Sequence, residues 1–111
     1  MELSEEGHLL RIFIGESDKH GNMPLYEWLV RRAKEGGLAG ATIFRAIEGY
    51  GAHSRIHTAK ILELSTDLPV IIEIIDTLPK IEAFIPILDD VLNGSLVTLE
   101  KVQIRIYRSK K

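Results

Sequence analysis

Apolar residues run together in two stretches of the chain, alternate strictly in another near its end, and recur at helical spacing along two more. Residues 8–16 are mostly apolar and stop at Gly15-Glu16, which predicts a strand. Residues 17–22 are polar and contain Gly21, so they predict a loop. Pro24 then stands where the first turn of a helix tolerates proline. Behind it, Leu25, Trp28, Leu29 and Ala33 take one helical face, while Glu27, Arg31, Arg32, Lys34 and Glu35 take the other. Gly36-Gly37 ends that helix. A second strand is expected over residues 41–48, entered through Gly40 and left through Gly49-Tyr50-Gly51.

A polar loop follows to about Thr58, then a short extended piece at residues 60–64 and a turn at Ser65-Thr66-Asp67. Residues 68–76 are rich in isoleucine and predict a third strand. Leu78, Ile81, Phe84, Ile85 and Leu88 predict a second helix over residues 77–92. Pro79 fits its first turn, and Pro86 should kink or break it. Asn93-Gly94 closes the helix. Residues 96–99 allow a short strand, and residues 102–107 alternate strictly and predict the last one. The order βαββαβ is that of the ferredoxin-like, split-βαβ fold, an α+β class with an antiparallel sheet and both helices on one face. A chain of 111 residues is one such domain, with residues 1–111 read as a single unit.

The two faces of that sheet differ in what they imply. Leu10, Ile12, Ile14, Val70, Ile72, Ile74, Val102, Ile104 and Ile106 should meet the helices. The opposite face should hold Leu9, Phe13, Ile71 and Ile75, mixed with Arg11, Glu73 and Arg105. Burying each of those apolar side chains contributes roughly 1.5–3 kcal/mol. The second face is therefore expected to pack against other copies of the chain, with Arg11, Glu73 and Arg105 pairing inside the interface.

Composition narrows the chemistry. The net charge of −2 disfavours a general nucleic-acid binder, although Arg105, Arg108, Lys110 and Lys111 cluster near the C-terminus. The absence of cysteine removes disulfides, thiolate metal sites and a cysteine nucleophile. The acidic start has no apolar run behind it, and residues 68–75 are too short to span a bilayer. A cytoplasmic protein without membrane insertion is expected. No GxGxxG or P-loop motif is present. His53 and His57, four apart, have the spacing of metal ligands on a helical face, with no third ligand near them in sequence. No serine or carboxylate stands in a context that suggests catalysis, so the chain is not read as an enzyme. Glycines at the entry and exit of the second strand let backbone amides approach a ligand such as a phosphate.

These residues resemble a family. Gly37-Leu38-Ala39-Gly40-Ala41-Thr42 followed by Gly49-Tyr50-Gly51, and Asp67-Leu68-Pro69-Val70-Ile71-Ile72-Glu73-Ile74, look like the second-strand entry and third strand of PII-type signal transducers. With Ile14-Gly15-Glu16 and Pro24-Leu25-Tyr26-Glu27 they are most similar to a less-characterised PII-like branch. The resemblance implies a homotrimer that binds an adenine nucleotide (AMP, ADP or ATP) in clefts between subunits and requires no other cofactor. It also implies a loop after the second strand that changes with the ligand and contacts a partner, a transporter or an enzyme. Carried over by position, Thr42 lies near the adenine, and Gly49, Tyr50 and Gly51 form the base of the switch loop. Gly94 begins a further loop, and Lys101 with Arg105 reaches phosphates. The chain departs from the PII pattern after Gly94, where Ser-Leu-Val-Thr-Leu-Glu lacks the phosphate-wrapping glycines, so AMP and ADP stand beside ATP as ligands. Its switch loop is shorter and has no tyrosine at its tip. The second reading is a metal-responsive trimer like the divalent-cation-tolerance proteins, using His53 and His57. An acylphosphatase-like enzyme is disfavoured, because residues 17–23 lack the arginine such an enzyme needs.

Overall fold

The computed structural model describes residues 6–49, 57–58 and 68–108. In chain order the elements are β1 (Glu6–Gly15), β2 (Lys19–His20), β3 (Met23–Pro24), α1 (Leu25–Glu35), β4 (Ala41–Arg45), β5 (Glu48–Gly49), β6 (His57–Thr58), β7 (Pro69–Asp76), α2 (Leu78–Val91) and β8 (Leu96–Gln103). Four of the strands form one sheet in the order β4-β7-β1-β8, with every neighbouring pair antiparallel. The other strands make two small ribbons, β2 with β3 and β5 with β6. The two central strands are the first and third of the sheet strands in sequence, which is the ferredoxin-like arrangement expected from the βαββαβ order.

The register explains the core. Ile12 lies opposite both Ile72 and Val97, and Ile72 lies opposite Ile43. Side chains alternate across a strand, so Leu10, Ile12, Ile14, Val70, Ile72 and Ile74 all project to one face. There they are buried against Leu25, Leu29 and Ala33 of α1 and Ile81, Phe84 and Leu88 of α2. Trp28 sits at the rim of this core, half-buried. Its ring is 4.3 Å from that of His20, and the Arg32 guanidinium stands 5.5 Å from its centre.

The helix ends follow the glycines and prolines. Pro24 takes the N-cap position of α1, and Gly36 caps its C-terminus by donating to Arg32 O. Gly37 adopts φ +77°, which favours a residue without a side chain. Pro86 neither breaks nor ends α2, which runs unbroken from Leu78 to Val91. The hydrogen bond it removes belongs to the C=O of Glu82, and Glu82 and Pro86 both lie on the exposed side of the helix, where the loss costs least.

Two strands differ from the sequence expectation. Residues 41–48 do not form one strand. The sheet pairing ends at Arg45, Ala46 N–H still donates to Pro69 O at 2.9 Å, and the chain then enters the β5–β6 ribbon. The last strand is Leu96–Gln103, and residues 102–107 are not a strand of their own. The helix runs to Val91, and Gly94, at φ +72°, turns the chain straight back onto the sheet. Pairing with β1 therefore begins at Leu96 and ends at Gln103, opposite Glu6. The helix-side positions of β8 are Val97, Leu99, Lys101 and Gln103, not Val102, Ile104 and Ile106.

The face away from the helices carries Leu9, Phe13, Ile71 and Ile75 as expected, with Phe44 and Leu96 beside them. Phe44 and Leu96 are 48% and 56% exposed. Arg11 pairs on this face with Glu73 at 2.8 Å and Glu100 at 2.9 Å. Arg105 is not part of that network, since it has left the sheet. The expected extended piece at residues 60–64 and the turn at residues 65–67 lie outside the described residues. No helix of the described residues is long and apolar enough to cross a membrane.

Candidate functional site

A glycine-containing loop, residues 36–40, joins α1 to β4 and is held at several points. Leu38 N–H donates to Ala33 O at 3.1 Å, completing the turn that ends α1. Lys80 Nζ donates to Gly37 O at 3.1 Å. Ala39 is fixed on both sides: its N–H donates to the buried carboxylate of Asp76 at 2.8 Å, and its C=O accepts from the Tyr107 hydroxyl at 3.1 Å. Asp76 Oδ1 also accepts the N–H of Thr77, so one carboxylate ties the loop to the start of α2.

Beside this loop lies an open groove of about 610 Å³, within the range of small-molecule sites, ~300–1,000 Å³. One side is the strand entry Gly40, Ala41 and Thr42; the base is Glu73 and Ile75; the other side is the chain from Val102 to Tyr107. The groove is mostly apolar. Its charged groups are Glu73 and Arg105. Glu73 is already engaged by Arg11, and that hydrogen bond, more than any other influence, pushes the Arg11 guanidinium above its ordinary range. Arg105 has no carboxylate partner among the described residues. The groove therefore offers one uncommitted cation beside an apolar wall and a glycine edge. That combination suits a flat apolar group joined to an anion.

The residues singled out from sequence divide between the two ends of the sheet. Thr42 and Arg105 meet in the groove. Lys101 lies at the same end but on the helix side of β8, opposite His8, in a shallow recess with Glu6, Gly7 and Gln103. Gly94 is at the other end, in a recess between α2 and β8 lined by Ile85, Leu88 and Asp89. Gly49 is also there, pairing with His57, where a Cβ would lie 3.1 Å from Pro69 Cγ. Tyr50, Gly51 and His53 lie outside the described residues. His57 belongs to the strand β6. Among the described residues no three His, Cys, Asp or Glu side chains are grouped to hold a metal ion.

Sequence reasoning missed Asp76 and Tyr107. Asp76 carried one legible sign: a carboxylate closing an isoleucine-rich strand immediately before the Thr77-Leu78-Pro79 helix start. Tyr107 carried none, because its bond to Ala39 spans 68 positions.

Comparison with known proteins agrees with this fold. Residues 7–104 match the model of the DUF190 family, described as "Uncharacterized ACR, COG1993". A UPF0166 protein of Aquifex aeolicus is 47% identical over 96 residues, covering 86% of this chain and 90% of the relative. Another, from Methanocaldococcus jannaschii, is 34% identical over 91 residues, covering 80% and 83%. Among solved structures, CPII, a nitrogen regulatory PII-like protein from Thiomonas intermedia K12, bound to ADP, AMP and bicarbonate, superposes with a TM-score of 0.59 at 18% identity. That alignment covers 89% of this chain and 88% of CPII. CPII bound to ADP and bicarbonate gives 0.58. CPII therefore shares its fold with this chain, and with a family-model match across nearly its whole length the chain belongs to the DUF190 family.

Proposed function

We propose that this protein is a regulatory, non-enzymatic PII-like trimer that binds an adenine nucleotide in clefts between its subunits. The observation that carries the reading is the groove itself. It sets the glycine edge at Gly40, the hydroxyl of Thr42, apolar Ile75 and the uncommitted Arg105 around one volume of about 610 Å³. An adenine ring needs an apolar wall and nearby polar groups for its edge; a phosphate needs a cation. The CPII structures with ADP and AMP support adenine nucleotides as the ligand class.

The inter-subunit part of the proposal rests on the division of candidate residues. Thr42 and Arg105 stand at one end of the sheet, Gly49 and Gly94 at the other. Within one chain Thr42 and Arg105 line one recess and Gly94 another. Neighbouring copies packed through the open sheet face can bring both ends to one ligand, the groove end of one meeting the Gly49 and Gly94 end of the next. The segment that follows β5 is then the part that reports the ligand to a partner transporter or enzyme.

Calorimetric titration of the purified protein with AMP, ADP and ATP tests this. Saturable binding of one nucleotide per chain, weakened by Arg105→Gln and by Thr42→Val, is the expected result. No binding of any adenine nucleotide at millimolar concentration overturns it.

A further inference from the structure

Residues 104–107 leave β8 and cross the sheet. β8 and β4 are its two edges, three strand spacings apart, roughly 14 Å. From Gln103 to Tyr107 the backbone reaches about 13–14 Å when fully extended, and the tyrosine side chain adds to that reach. Gln103 pairs at one edge, and the Tyr107 hydroxyl bonds to Ala39, next to the start of β4, at the other. The segment therefore crosses the open face, with the Tyr107 side chain covering the last part of the distance. It passes Gly7 of β1, then Ile75 of β7.

Both ends of the crossing are fastened. At the near end Gly7 leaves room for Ile104: a Cβ on Gly7 would stand 2.5 Å from Ile104 Cδ1 and 3.1 Å from Cγ1. At the far end the only described tie is the hydrogen bond from Tyr107 to Ala39. Between them Arg105 and Ile106 line the groove, and Ile106 remains 72% exposed. One wall of the groove is therefore a short extended segment with few buried contacts, held at its far end by one bond. Such a segment detaches at low cost.

We propose that residues 104–107 are a strap that closes the groove, that Tyr107 fastens it to Ala39, and that a nucleotide in the groove and the fastened strap stabilise each other. Fastening brings Arg105 to the groove and fixes the C=O of Ala39, so a ligand that touches this wall binds the fastened form better. By linkage, it also holds the strap down. The coupling to nucleotide rests on the function proposed above; the strap does not.

Trypsin reads the strap directly, since Arg105 lies within it and Arg108 follows the fastened residue. Without nucleotide, the bond after Arg105 should be cut more slowly than the bond after Arg108. Tyr107→Phe removes only the hydroxyl and should speed cleavage after Arg105 roughly two- to tenfold, the worth of one such hydrogen bond when cutting follows the open population. Gly7→Ala, which displaces Ile104, should do the same from the other end. In wild type, saturating AMP or ADP should slow cleavage after Arg105, and Tyr107→Phe should bind nucleotide more weakly by a similar factor. Equal cleavage at Arg105 in wild type and both variants overturns the strap. Calorimetric binding without protection of Arg105 overturns the coupling. Absence of binding removes the nucleotide reading, and the strap is then decided by the first comparison alone.

Discussion

The carboxylate of Asp76 accepts the backbone N–H of Ala39 at 2.8 Å, from a side chain with no solvent exposure. This bond anchors the loop between α1 and β4, and with it the glycine edge of the groove. Asp76 also accepts Thr77 N–H. Replacing it by Ala leaves both donors without their acceptor, at a cost of about 2–4 kcal/mol. Asp76→Asn keeps one acceptor oxygen and should cost less. Urea unfolding should rank the stabilities as wild type, Asn, then Ala, with the slope m unchanged. A variant Asp76→Ala as stable as wild type would show that the loop is held without this carboxylate.

Two glycines on the path to and from β4 should respond in opposite ways. A Cβ at Gly40 meets no atom within 4 Å, whereas one at Gly49 presses on Pro69 at 3.1 Å. Gly40→Ala should leave stability unchanged or raise it by up to about 1 kcal/mol, through the reduced freedom of the unfolded chain. Gly49→Ala should lower stability unless Pro69 shifts. Since Gly40 lines the groove, Gly40→Val should weaken nucleotide binding while the thermal midpoint holds. Loss of binding and stability together at Gly40 would give that glycine a purely structural role.

Arg105 and Lys101, paired in the sequence reading as phosphate contacts, now separate. Arg105 is in the groove; Lys101 is on the other face of the sheet, with its own recess. Arg105→Gln should weaken ADP binding about tenfold, the worth of one charge-assisted hydrogen bond. Lys101→Ala should cost less, and its effect should grow from AMP to ATP only if longer phosphate chains extend toward it. Equal losses for both variants with AMP would move the phosphate away from Arg105.

The fold was legible where one periodicity governed the packing. Leu10, Ile12 and Ile14, and Val70, Ile72 and Ile74, alternate because one face of a central strand meets helices and the other does not. The register partner of Arg11 on β7, Glu73, was legible for the same reason. The last strand was not, because alternation at residues 102–107 is shared by a paired strand and by an extended segment crossing the sheet. Only the turn at Gly94 and the pairing with β1 decide between them. Thr42 and Arg105 were both named by resemblance, and both line the groove, Arg105 from the crossing segment rather than from a strand. Asp76 and Tyr107 act through single long-range bonds to one backbone residue, and no spacing in the chain announces such a bond.

The open sheet face leads to the last prediction, the oligomeric state. The chain's own C-terminal segment covers the groove end of that face, but Phe44 and Leu96 remain about half exposed on it. Apolar side chains grouped on one face mark an interaction surface more often than scattered ones do. Arg11 pairs with both Glu73 and Glu100 in their midst, so each of the three charges has a partner, and the trio keeps one net negative charge that an interface has to accommodate. Light scattering at micromolar concentration should give about three times the 12.5 kDa chain mass. Phe44→Glu is the informative variant, because the residue is already exposed in the single chain and its replacement should not disturb the core. It should yield folded monomer with an unchanged circular dichroism spectrum and should lose nucleotide binding with the assembly. A wild-type protein that runs as a monomer and binds nucleotide would place the whole site within one chain. A Phe44→Glu variant that remains a trimer would move the interface off this face.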